Sequence, residues 1–336
     1  MNTQIVFTQK NKAELIDAPL SELRNDDVRM ETVISSISCG TEKANITGDA
    51  NVSISQSNIT FPRYSGYSSS GVVIAVGKDV KEIKVGDRVA ASWSCHAKYN
   101  TLNEKNFVKL DDSISFEEAA LFHIGTFPMA ALRKTRIETG ESAMVMGLGI
   151  LGLIGVQFAK AAGAVPVIAV DPIKERREKA LKFGADYALD PMEEGFSDKV
   201  KKLTGGGVNA AIEVTGVGAA LDSCLDCMAK FGRVALLGCT RDKNFTIDYY
   251  RKVHGPGITL IGAHTLARPQ EDSFGGWFTQ RDDIKAIMKL CQFGRVDLKA
   301  IIDETYLPKN CQEVYTRLIT DPSFPVVSQF DWRNIR

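Results

Sequence analysis

The most constraining stretch of this 336-residue chain is an apolar run, Ser142–Met146, that passes directly into Gly147-Leu148-Gly149-Ile150-Leu151-Gly152 and then into a segment with helical spacing. Three glycines alone mark an ordinary strand-to-helix turn. Here each glycine has its own role, because Gly147 allows the tight turn, Gly149 lets backbone N–H groups approach a pyrophosphate, and Gly152 lets the helix pack closely on the sheet. The helix start adds about half a positive charge for phosphates. The next apolar run, Val165–Val170, ends at Asp171, 19 residues after Gly152, where a carboxylate can accept from adenosine ribose hydroxyls. Strand, glycines, helix, strand and acid in that order point to a dinucleotide. A 2′-phosphate would bring roughly two negative charges against Asp171, so NAD is expected over NADP. Arg176 and Arg177 follow closely and could clasp such a phosphate, or form a solvated basic helix start. Further contacts are expected beyond later strands, at Val214-Thr215-Gly216, Gly238-Cys239 and Gly262-Ala263-His264. The candidate cofactor set is thus Gly147, Gly149, Ile150, Leu151, Gly152, Asp171, Arg176, Val214, Thr215, Gly216, Gly238, Cys239, Ala263 and His264.

The rest of the chain reads as two textures. Before Ser115, short β-rich runs bounded by turn residues (Gln4–Thr8, Val28–Ser36, Gly71–Val76, Arg88–Ser92, Asn106–Leu110) suggest an all-β subdomain. Beyond it, strands Ser142–Met146, Val165–Val170, Ala210–Val214, Val234–Leu237 and Thr259–Ile261 alternate with helices Gly152–Ala162, Lys174–Phe183, Phe196–Leu203, Gly218–Met228 and a segment near Tyr249, as an α/β fold requires. One more helix, Arg281–Phe293, and a strand-like tail ending at Trp332 close the chain. The length is that of about two domains of roughly 150 residues. Forty-one basic residues balance 41 acidic ones, so no global field favours nucleic acid or anionic lipid. The most apolar stretch, Met144–Val170, is interrupted by Gln157 and Lys160, and no leader or membrane span is expected. Seven scattered cysteines suit reduced thiols and a cytoplasmic setting. Cys224 and Cys227 share the spacing of many metal sites but lie in a helical stretch with no second pair, so they are read as packing.

These residues resemble the medium-chain dehydrogenase/reductase superfamily, in its alcohol, polyol and threonine dehydrogenase group, over essentially the whole chain. Cys39-Gly40-Thr41-Glu42 is similar to the first-zinc-ligand loop, and Gly66–Val73 stands where the Gly-His-Glu-x-x-Gly-x-Val segment belongs. Val85-Gly86-Asp87-Arg88-Val89, the segment Phe116–Ala120, the Gly147 turn and Lys179–Asp186 follow in the family's order. The resemblance implies a GroES-like β-domain, residues 1–123 with 280–336, and a Rossmann doubly wound parallel-sheet domain, residues 124–279, with the active site between them. It also implies a homodimer or homotetramer paired through the nucleotide-binding sheet.

The departures concern metal. Tyr67 and Ser68 replace the family's His and Glu, and only Cys95 occurs where a four-cysteine lobe would fall. Cys39 and His123, the latter near a ligand position of polyol-type relatives, cannot alone close a tetrahedral site that needs three protein groups. No zinc is expected. Without it, the oxyanion of an alcohol oxidation needs side-chain donors. Thr41 matches a proton-relay position, Tyr67 can offer its phenolic O–H, and Glu42, His96 and His123 complete the catalytic candidates. Each has an alternative: a turn residue, a filler, a solvated charge or a structural histidine. The expected function is hydride transfer between NAD and a secondary alcohol or ketone of a sugar, polyol or cyclitol. A zinc-free quinone or enoyl reductase using NADPH and a non-catalytic NAD-binding protein are the alternatives.

Overall fold

Ala143–Met146 and Val167–Val170 contain no polar side chain and are buried at every position, which is what strands in the middle of a parallel sheet demand. In the computed structural model, which describes residues 1–49, 59–240 and 244–335, they form the centre of a six-stranded sheet. Residues 50–58, 241–243 and 336, inside the expected domain ranges, lie outside the described residues. The strands are β1 (Ala143–Met146), β2 (Val167–Val170), β3 (Tyr187–Leu189), β4 (Val208–Glu213), β5 (Met228–Leu236) and β6 (Thr259–Gly262). They lie in the order 3-2-1-4-5-6, every pair parallel, the doubly wound arrangement expected from the sequence. The sheet belongs to a unit of Gly125–Asp283 and Phe293–Asp297.

The helix after β1 is Ile150–Ala161, almost wholly buried. Gly152 has to be glycine: a Cβ there would stand 1.9 Å from the Gly147 carbonyl oxygen. Met144, Ile168, Val170, Val234 and the helix face bearing Leu221, Cys224 and Leu225 form one core cluster. Burial pushes the Cys227 thiol up to about 12, and its Sγ lies 3.2 Å from the Ser223 carbonyl, as packing cysteines would. Two expectations shift, and one helix is new. β2 starts at Val167 because Pro166 has no N–H for the ladder. The segment near Tyr249 is one π-type turn, Tyr250–His254, and Phe122–Thr135 is a helix despite Pro128.

The second unit comprises Met1–Ile124, Ile284–Gln292 and Leu298–Arg336. Its seven-stranded sheet runs Glu304–Tyr306, Ser328–Asp331, Asp27–Ile37, Ser68–Val76, Arg88–Ser92, Phe107–Lys109, with Tyr99–Asn103 also paired to Asp27–Ile37. Asn2–Gln9, Lys12–Ala18 and Arg63–Tyr64 form a smaller sheet. The C-terminal strand joins antiparallel to Asp27–Ile37, Ser328 opposite Ile37. This unit is not all-β: helices Cys39–Thr47 and Cys311–Thr320 pack into it, the second through Val314, Tyr315 and Leu318 against Ile5, Phe7 and Phe330.

Candidate active site

The glycine turn leaves β1 with Gly147 at φ +99°, its N–H bonded to the Val170 carbonyl at 2.8 Å. A Cβ on Gly147 would meet Thr215 Cγ2 at 2.8 Å, whereas around Gly149 nothing lies within 4 Å. Gly149 caps the following helix and, lacking a side chain, offers no acceptor of its own to the first-turn N–H groups at Ile150, Leu151 and Gly152. That open, positive turn fits a pyrophosphate. Asp171, 4% exposed, accepts from Leu148 N at 2.8 Å through Oδ2 and from Ile173 N at 2.9 Å through Oδ1. Each carboxylate oxygen has a second lone pair, which leaves capacity for two ribose hydroxyls. The two arginines part company. Arg176 Nη1 lies 3.6 Å from Asp171 Oδ2, while Arg177 is engaged by the Asp171 carbonyl at 2.7 Å and Asp190 at 3.0 Å.

The ends of β4, β5 and β6 gather next to this turn. Gly216 (φ +65°) and Gly238 pack so closely that a Cβ on either would strike the other loop, at Cys239 O (2.5 Å) and Gly216 N (2.2 Å) respectively. Glu213, which the sequence reading passed over, shapes Val214–Gly216: it accepts from Thr215 N at 2.7 Å, from the Thr215 hydroxyl and from Gly216 N. Burial nonetheless raises its carboxyl. Its signal was a carboxylate directly after the apolar run Ala210–Ile212. Ala263 is bonded to Leu236 O at 3.1 Å. His264 Nδ1 accepts from Leu266 N at 3.2 Å, so a neutral ring carries its proton on Nε2. Burial and the nearby Lys134 ammonium hold His264 below its ordinary value. Lys134, also missed, clamps this turn through the Gly262 and Ala267 carbonyls at 3.0 and 2.6 Å.

In the other unit, Tyr67 and His123 meet edge to face with ring centroids 5.5 Å apart, and Trp93 closes on His123 at 4.7 Å. Trp93 was not singled out from sequence. It directly follows the strand Arg88–Ser92, is 40% exposed and holds φ +58°, a conformation rare for a bulky residue. The Tyr67 hydroxyl lies 2.5 Å from Ser38 Oγ. Thr41 stands exposed on the helix Cys39–Thr47.

Glu42 and His96, read from the sequence as catalytic candidates, are instead enclosed, at 2% and 0% exposure. Their closest polar atoms, Oε2 and Nε2, are 3.1 Å apart. Glu42 also accepts from the Tyr315 hydroxyl at 2.5 Å and the Ser38 amide at 2.8 Å, and His96 Nδ1 is 2.7 Å from Ser35 Oγ, which accepts from Trp332 Nε1 at 2.8 Å. Burial would raise the Glu42 carboxyl, but His96, Tyr315 and Ser38 together hold it below the usual range.

Tyr67 is engaged with Ser38, Ser68 Oγ donates to the Ala120 carbonyl at 2.6 Å, and the Cys39 thiol lies 3.7 Å from the Val326 carbonyl. Among the described residues, no group of three or more His, Cys, Asp and Glu side chains could hold a metal ion.

Comparison with known proteins gives two family matches, an alcohol dehydrogenase GroES-like domain over residues 25–135 and a zinc-binding dehydrogenase over residues 151–290. The chain is 29% identical over 343 residues to L-threonine 3-dehydrogenase of Pyrococcus horikoshii, covering 91% of this chain and 92% of that protein. It is 28% identical over 252 residues to D-guloside 3-dehydrogenase of Escherichia coli, covering 74% and 71%. The crystal structure of 2R,3R-butanediol dehydrogenase from Bacillus subtilis superposes with a TM-score of 0.82 at 22% identity, over 98% of this chain and 99% of that one.

Proposed function

We propose, on the premise that the chain belongs to the medium-chain dehydrogenase/reductase superfamily and is a nicotinamide-dependent oxidoreductase, that it is a zinc-independent, NAD-dependent dehydrogenase of a secondary alcohol in a sugar, polyol or cyclitol. The names of the guloside and butanediol relatives support a hydroxylated substrate. The observation that carries the reading is the phenol of Tyr67, held at Ser38 and set edge-on to His123, where the superfamily pattern has a metal-binding imidazole.

Gly147, Gly149, Ile150, Leu151 and Gly152 would hold the pyrophosphate, Asp171 the ribose, and Val214–Gly216, Gly238, Cys239, Ala263 and His264 the remainder of NAD. The bound nicotinamide supplies the hydride acceptor. Tyr67 donates a hydrogen bond to the substrate oxygen as negative charge develops on it, and His123 and Thr41 handle the proton released from the alcohol. Glu42 and His96 touch no substrate in this reading; they hold Ser38 from behind.

The deciding experiment is a panel of sugars, cyclitols and open-chain polyols with NAD, followed by NADH absorbance. Turnover of at least one secondary alcohol is expected. Activity confined to enones with NADPH would replace the reading by a quinone or enoyl reductase, and NAD binding without turnover on any substrate by a non-catalytic protein.

A further inference from the structure

We propose that Glu213 supplies a fixed negative charge for the nicotinamide ring, so that the chain binds the cationic, oxidised cofactor in preference to the neutral, reduced one. The inference rests on the reading that the glycine turn and the ends of β4, β5 and β6 hold the dinucleotide. Five carboxylates are buried among the described residues: Glu42, Asp87, Asp171, Glu213 and Asp283. Burying a carboxylate is costly unless a partner that can carry positive charge faces it. Glu42 has His96 at 3.1 Å, Asp87 has Lys109 at 2.6 Å, Asp171 has Arg176 at 3.6 Å and Asp283 has Arg133 at 2.8 Å. Glu213, 3% exposed, has no such partner among the described residues. Its oxygens meet neutral donors instead, the Thr215 amide at 2.7 Å and the Gly216 amide at 3.2 Å. The Thr215 hydroxyl, which accepts from Val217 N at 3.0 Å, turns its own proton toward the same carboxylate. Burial pushes the Glu213 carboxyl up and these donors offset part of the rise, as befits a charge held without a counter-ion.

The placement gives this charge its use. Glu213 stands in register between Met146, the residue before Gly147, and Leu236 of β5. The loop it holds closes on both neighbours: a Cβ on Gly147 would stand 2.8 Å from Thr215 Cγ2, and one on Gly238 2.2 Å from Gly216 N. In a sheet of order 3-2-1-4-5-6 a dinucleotide crosses β1. With Asp171 at the end of β2 taking the adenosine ribose, the nicotinamide half falls on the side of β4. Arg176 stays at the adenosine end beside Asp171, and Lys134 sits at the end of β6, two strands beyond β4. The oxidised ring carries one positive charge and the reduced ring none, so a buried carboxylate on that side discriminates between them where water screens least. Favouring the oxidised form makes the bound, reduced cofactor the better hydride donor.

The test is equilibrium binding of NAD⁺, NADH and ADP-ribose, which lacks the nicotinamide, to the wild type, Glu213→Gln and Glu213→Asp, with a melting curve for each. Glu213→Gln should bind NAD⁺ roughly tenfold more weakly and NADH and ADP-ribose within about twofold of the wild type, the scale of one charge pair in a partly screened interior. That change of ratio raises the potential of the bound cofactor by about 30 mV. Glu213→Asp keeps the charge and should keep the wild-type ratio. A second measurement needs no substitution: the wild type should bind benzamide adenine dinucleotide, whose ring is uncharged, roughly tenfold more weakly than NAD⁺. An unchanged ratio in Glu213→Gln overturns the inference, as does an equal loss for all three ligands, which would make Glu213 a turn former only. A Glu213→Asp ratio that matches Glu213→Gln, or a neutral analogue bound as tightly as NAD⁺, overturns it too. A wild type that binds neither NAD⁺ nor NADH removes the cofactor reading itself, and this inference with it.

Discussion

Tyr67 and His123 share one contact, and their substitution separates chemistry from packing. Tyr67→Phe keeps the ring against His123 and Trp93 and deletes only the hydroxyl, so kcat should fall about 10²-fold, ~2.7 kcal/mol, at nearly unchanged NAD affinity. His123→Asn should depress the rate and change its pH profile, since an amide does not titrate; a filler role would instead show as a lower melting temperature at normal kcat in both variants. At the ribose position, repulsion from Asp171 should favour NAD over NADP by at least tenfold, ~1.4 kcal/mol. Arg176, 3.6 Å from that carboxylate, offsets part of the repulsion, so Arg176→Ala should widen the preference; equal dissociation constants in the wild type would reverse the assignment. His264 titrates below its ordinary 6.5 because of burial and Lys134. The unfolded chain therefore takes up this proton first as pH falls, and stability is lost below about pH 6.5. Melting temperatures between about pH 7.5 and pH 5.5 should drop more steeply for the wild type than for His264→Gln.

At the scale of elements, legibility followed how local the stabilising pattern is. β1, β2 and the Ile150–Ala161 helix carry their burial in consecutive residues, so their sequence speaks for them. Cys39–Thr47 has no such stripe: Ala44 and Ile46 are buried beside Glu42, whose partners Tyr315 and His96 come from distant parts of the chain. The long helix Phe122–Thr135 was hidden by Gly125 and Pro128, residues that disfavour a helix locally but are carried by its packed surroundings. Among the described residues β6 is paired on one side, to β5, and its burial is incomplete along the strand. An unpaired edge of this kind invites a second copy. A dimer or tetramer is expected in sedimentation at micromolar concentration, and a monomer there would count against pairing through β6.

For the molecule as a whole, the Tyr67 and Ser68 replacements predict that elemental analysis after dialysis finds no stoichiometric zinc; one tightly bound ion per chain would overturn the zinc-independent reading. Among the described residues no helix is long and apolar enough to cross a membrane. The sequence by itself determined the parallel sheet, the glycine turn and Asp171, because each rests on residues adjacent along the chain, where period and spacing act directly. Its resemblance to the superfamily also placed Tyr67 and Ser68 where metal ligands are expected. Only the tertiary structure decided what those side chains touch. Ser328 pairs with Ile37, Trp332 reaches Ser35, and Tyr315 reaches Glu42 across 273 residues of chain. Such contacts are selected by the collective burial of a core and not by local preference. That is why the burial of Glu42 and His96 could not be read from the sequence, and why Ser38, an ordinary helix cap by position, comes to face Tyr67.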